Sequence, residues 1–339
     1  MSNPDSIADL GGVVWHDVAE HLARIVDDGS VLSPASFKFV SEATIATARS
    51  DDPDAAALNH ALGEVVFGRD CGTLCLRNPR LCSMFALPLV FLKQPPREAE
   101  RIGSLFLQLH ETGATRANSY PQYRNIEMSY VAARLRGAPF FEPGALADFS
   151  VAFPWMTRDQ RYGLTHVMLY NSNFGAQFVE YTPREIALVE ALIALADHDG
   201  DLDLMLELML CHATIEGASE RRKRHYRTRA QSRLDQFLKS SSARGDPFSE
   251  TYHPLLVACL YARVAPCGLD DEGEVRRQRA EALIMAAFAS GKPIDGLSAY
   301  TDFEDEFGPH PALETAIGFY APLLSDALGR RSASNGAAR

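Results

Sequence analysis

Tyr123-Arg124-Asn125-Ile126-Glu127, Tyr162-Gly163-Leu164-Thr165-His166, Asp199-Gly200-Asp201-Leu202-Asp203-Leu204 with Glu207, and Thr251-Tyr252-His253 each open an apolar helical run on polar or aromatic residues. The segments start about 40 residues apart, a period that with two helices per repeat marks helical hairpins stacked side by side. Between them apolar residues recur at i, i+3, i+4 and i+7, and no succession of alternating strands interrupts the pattern. The chain reads as all-α.

Helices are expected at Ile7 to Asp27, Pro34 to Arg49, Asp54 to Phe67, Pro79 to Leu92, Arg97 to Glu111, Gln122 to Arg136, Gly144 to Ala152, Thr157 to Asn171, Pro183 to Ala196, Leu202 to Ile215, Tyr226 to Lys239, Tyr252 to Val264, Glu272 to Ala289 and Pro311 to Leu328. Thr182-Pro183-Arg184-Glu185 places a capping hydroxyl before a proline at the first helical position, with an acid in the first turn. Ser33-Pro34 and Thr157-Arg158-Asp159 repeat that grammar in weaker form. Short connections make consecutive helices antiparallel neighbours. Because the recurring helix starts are polar, the reading favours an (α/α) toroid, in which the same end of every inner helix opens into one cavity, over an open helical solenoid. One domain is expected over residues 1–329, and the small polar residues 330–339 read as a disordered tail.

Composition narrows the function classes. Of 339 residues 46% are hydrophobic, and the net charge is −11. That charge argues against nucleic-acid binding, which requires clustered cations to displace phosphate counterions. The run Arg221 to Arg229, with six positive charges, reads as a solvated inter-helix connection or helix start. The longest apolar run, Cys82 to Leu92, is too short to span a bilayer, and the first residues lack a secretory pattern. The expectation is a cytoplasmic protein with its six cysteines reduced. No phosphate loop, dinucleotide fingerprint or nucleophile elbow occurs, so neither ATP nor NAD is expected.

Chemistry concentrates at the polar helix starts. His166 and Tyr170 share a helical face at i and i+4, as do Asp203 and Glu207. Capping and the helix dipole explain acids in a first turn, but not Glu207, which stands among Leu202, Leu204, Met205, Leu206, Leu208, Met209 and Leu210 and needs a partner. Arg124, His166 or a metal are the candidates. Glu127 repeats the situation beside Arg124, where an internal ion pair is the plain alternative. His166, Glu207, Asp203 and Tyr170 form the candidate catalytic set. Tyr123, Arg124, Glu127, Tyr162, Asn173, Tyr252 and His253 are the candidate substrate contacts.

Leu164-Thr165-His166 with Asn173-Phe174-Gly175, followed by Asp201-Leu202-Asp203-Leu204 with Glu207-Leu208, resembles an uncharacterised family of bacterial helical proteins with the motifs T-H-x-x-x-Y-x-x-D-F-G and D-x-D-L-x-x-E-L. The likeness spans mainly residues 120–265, and Asn173 stands where that pattern has aspartate. Such proteins often lie beside natural-product genes, so the resemblance implies a helical fold and a setting in specialised metabolism, without a reaction. Two mechanisms fit. Either His166, Glu207 and His253 hold a divalent metal, zinc or iron, with an open position for substrate, or His166 acts as general acid or base oriented by Glu207. The expectation is a tailoring or cyclase-like enzyme acting on a peptide or small hydrophobic intermediate. The rival is a non-catalytic helical scaffold that binds a partner enzyme or a leader peptide, or that self-associates.

Overall fold

Ser33 Oγ accepts from the Ser36 backbone N–H at 3.1 Å and Pro34 follows it, so a helix starts there as its sequence requires. Thr157 with Gln160, and Thr182 with Glu185, form complete capping boxes. The structure, a computed structural model, describes residues 10–27, 33–68, 82–117, 123–142, 155–265, 282–287, 289–290 and 299–300. Among the described residues the named helices are α1 Leu10–Asp27, α2 Pro34–Arg49, α3 Pro53–Gly68, α4 Cys82–Phe91, α5 Arg97–Glu111, α6 Ala114–Ala117, α7 Tyr123–Leu135, α8 Arg158–Asn171, α9 Pro183–Asp199, α10 Leu202–Ala213, α11 Glu220–Arg244 and α12 Phe248–Val264. No strand occurs among them; one isolated parallel bridge joins Val179 and Ile215.

Contacts between helices sort the elements into two sets. Every residue of α10 from Leu204 to Ala213 is buried, as expected of a helix apolar on all sides. Contacts run from α2 to α4, α4 to α7, α7 to α8, α8 to α10, α10 to α12 and from α12 back to α2. Behind them α3 packs on α2, α5 on α7, α9 on α10, α11 on α10 and α12, and α1 on α12 and α3. Polar side chains tie the layers. Asn59 of α3 donates to Thr44 O, Thr47 Oγ1 and Phe91 O and accepts from Lys93 N, so both the nitrogen and the oxygen of this buried amide are bonded.

Two expectations change. The run at Arg221 to Arg229 opens α11, which starts at Glu220 behind a Ser219 cap, and much of its charge is buried. Arg222, Lys223, His225 and Arg227 are buried. Arg222 lies 3.4 Å from Glu190, and Arg227 Nη1 donates to Ala262 O and Ala265 O at the end of α12. Helix α12 begins at Phe248 and carries Pro254 inside its second turn. The helices expected at Gly144 to Ala152 and Pro311 to Leu328, the loop Asp70 to Asn78, Cys71, Cys75 and Cys267, and the tail 330–339 lie outside the described residues. Cys211 and Cys259 are free thiols. Among the described residues no helix is long and apolar enough to cross a membrane.

Candidate functional site

The recurring polar segments of the sequence fall at the first turn of α7, the second and third turns of α8, the start of α10 and the first two turns of α12. Together with α2 they surround a cavity of about 430 Å³. Its apolar lining includes Ile45, Leu87, Leu169, Phe174, Leu210, Leu256 and Val257; its polar lining includes Glu42, Arg124, Glu127, Tyr162, His166, Tyr170, Asp203, Glu207 and His253.

His253 is the hub. Its Nδ1 lies 2.9 Å from Glu42 Oε2, and its Nε2 lies 3.2 Å from both Glu207 Oε1 and Asp203 Oδ1. The i, i+4 spacing sets Asp203 and Glu207 on one face of α10, turned toward α12. Each carboxylate is held at its other oxygen by α8. Thr165 Oγ1 donates to Glu207 Oε2 at 2.5 Å, and Tyr162 OH donates to Asp203 Oδ2 at 2.7 Å. Arg158 donates to the Tyr162 hydroxyl and grips Asp201 with two nitrogens. Asp201 in turn caps α10 through the Leu204 N–H, so capping accounts for it and leaves Asp203 and Glu207 to the cavity.

The charges follow from burial and proximity. Burial disfavours the His253 cation, but Glu42, Glu207 and Asp203 overcome it and hold the imidazole well above its usual range. Burial raises Glu42, yet His253 and Lys38 bring its carboxyl below the ordinary value. At Glu207 burial, joined by the Asp203 charge, prevails over His253 and raises the carboxyl. The Tyr162 phenol is pushed far up by burial and by Asp203, so it serves as a donor. His166 is pulled down to about 3 by burial, then by Arg124 and His253.

These placements rearrange the expected pairings. The histidine that meets Glu207 is His253, and a His166 imidazole so hard to protonate is a poor general base at neutral pH. His166 lines the cavity with its ring 6.0 Å from that of Tyr170. Glu127 is the internal pair foreseen: Arg124 Nη1 and Tyr170 OH both donate to its Oε2 at 2.7 Å. Tyr252 is buried, bonded to Glu42, and set edge-on to Phe39. Tyr123 opens α7, and its side chain lies outside the described residues. Asn173 belongs to a different cluster, at the far end of α8, where Arg49 and Tyr130 donate to its Oδ1. Asn173, Phe174 and Gly175 all have positive φ there, at 50°, 53° and 81°. A Cβ on Gly175 would meet Val264 Cγ1 at 2.8 Å, so the glycine answers both a backbone and a space requirement.

Sequence reading missed Glu42 and Lys38. The signal was present: Glu42 stands among Phe39, Val40, Ala43 and Ile45, an acid in an apolar helix as Glu207 is.

A family model described as "Domain of unknown function (DUF6895)" matches residues 39–263, a span that holds Glu42, Thr165, Asp203, Glu207 and His253. No curated protein and no solved structure matches the chain.

Proposed function

We propose, for a chain that belongs to a domain family of unknown function, DUF6895, a cytoplasmic enzyme of specialised metabolism that transforms a peptide or small hydrophobic intermediate inside the cavity. The observation that carries this reading is convergence. Chain segments as distant as Glu42 and His253 deliver four ionisable groups to one cluster in a cavity that apolar side chains also line. A volume of about 430 Å³ suits a small molecule or a few residues of peptide. Fixed polar groups beside an apolar surface are what orienting and activating a substrate require. Asp203, Glu207 and His253 act on the substrate; Tyr162, Thr165 and Glu42 fix their orientation. Arg124 and Tyr170, which line the same cavity and are tied to Glu127, contact the substrate's polar part. The return of helix contacts from α12 to α2 supports the (α/α) toroid over the open solenoid, and the motif resemblance supports the natural-product setting.

Glu207→Gln tests this reading. The substitution keeps shape and removes the charge, and retention of the fold is checked by circular dichroism and melting temperature. Untargeted metabolite profiling of the producing organism should then show Glu207→Gln matching the gene deletion, with the same precursor accumulating. A variant that preserves the wild-type profile would make the protein a scaffold whose cavity does no chemistry.

A further inference from the structure

We propose that Asp203, Glu207 and His253 are the protein ligands of one divalent transition-metal ion, of the Mn²⁺, Fe²⁺ or Zn²⁺ class, and that Glu42, Tyr162 and Thr165 aim them. The proposal rests on the function stated above for what the ion does, and on the structure alone for where it binds.

Donor spacing is the first argument. Nε2 of His253 lies 3.2 Å from one oxygen of each carboxylate, and the three donor atoms lie within 4.8 Å of one another. Donors about 2.1 Å from a shared ion stand roughly 3.0–3.4 Å apart, so the two measured edges fit and only the carboxylate–carboxylate edge has to contract. Such a contraction is what an ion between two like charges produces.

The occupancy of the distal atoms is the second. Glu42 takes Nδ1 of His253, Tyr162 takes Oδ2 of Asp203 and Thr165 takes Oε2 of Glu207. Each ligand is thus pinned at the atom turned away from the shared point, and the free atoms face one another. A carboxylate behind a histidine is a recurrent feature of metal centres, because it sets the tautomer and makes the ring a better donor. An ion pair alone needs no such arrangement.

Hydrogen bonding around His253 Nε2 is in deficit. One Nε2–H cannot serve two oxygens, and Asp203 Oδ1 is buried with no hydrogen bond despite its proximity to the imidazole. Buried carboxylate oxygens seldom go unsatisfied. A cation among the three would satisfy both oxygens, with the cavity giving its remaining positions to substrate or water. One imidazole and two carboxylates suit borderline first-row ions better than thiophilic ones.

The test uses the full chain, purified without a metal-binding tag, stripped with chelator and titrated with Mn²⁺ and with Zn²⁺ by calorimetry. Expected are one site per chain and a rise in melting temperature on loading. The Mn²⁺ electron paramagnetic spectrum should carry the nitrogen coupling of one imidazole. Glu207→Gln should lose at least 100-fold in affinity, and so should Asp203→Asn, a position less buried than Glu207 that guards against misfolding of the first variant. Glu42→Gln should keep the stoichiometry and lose about 10- to 100-fold. Absence of binding at millimolar ion, or binding indifferent to Glu207→Gln and Asp203→Asn in folded protein, overturns the proposal. Either result leaves the metabolite test of the proposed function standing on its own.

Discussion

His166 shows how a residue's type can be legible while its role is not. The sequence marks it as a histidine one turn before Tyr170, and the structure puts it in the cavity. Its burial and its neighbours Arg124, His253 and Lys38, against Glu42, come from three other helices, and no spacing within α8 encodes them. The consequence is measurable as acid sensitivity. Folded His166 has its pKa lowered to about 3 from 6.5, so between those values the unfolded chain binds a proton that the native state refuses. Stability contributed by the neutral imidazole is therefore complete above pH 6.5 and falls as pH drops toward 3. In His166→Gln this loss is absent. Denaturant titrations at pH 7 and pH 4.5 should show the variant gaining roughly 2–3 kcal/mol on wild type over that interval. A difference that does not change with pH would mean the imidazole is protonated as easily in the fold as out of it.

Helices were legible where local chemistry decides them. α2, α5 and α8 start and stop where their caps and prolines place them, and α9 runs on to Asp199 because Gly200, at φ 72°, ends it. The start of α11 departs furthest from the sequence expectation because its determinants lie elsewhere in the chain. The basic run looks like a solvated connection only until Glu190 and the carbonyl end of α12 are beside it. Arg227, buried, supplies donors that the last turn of α12 lacks, and its cation meets the negative end of that helix. Replacing it with methionine keeps much of the volume and removes every donor. Arg227→Met should cost about 2–4 kcal/mol in denaturant unfolding. A cost under about 0.5 kcal/mol would place the arginine with ordinary surface charges.

At the scale of the whole molecule, the site exists only because separate hairpins share it. Recurrence of polar helix starts predicted one common opening, but the identity of the partners required the seam between α2 and α12, residues more than two hundred positions apart. The same seam decides how the molecule unfolds. Phe39 of α2, fully buried, meets Tyr252 edge-on at 5.1 Å and Phe248 at 6.3 Å, while Glu42 reaches His253 beside it. In an open stack each hairpin answers to its nearest neighbours, so damage at a terminal contact stays local. In a closed cycle removing one contact weakens every path around the ring. Phe39→Ala, with an expected cost of about 3–5 kcal/mol, separates the two by native-state hydrogen exchange. Closure predicts that the slowest amides of α7 and α8, across the cavity, lose protection by the same free energy as those of α2 and α12. Loss confined to α1, α2 and α12, with α7 and α8 unchanged, would mean that the helices unfold as a stack and that the cavity is the groove of a solenoid.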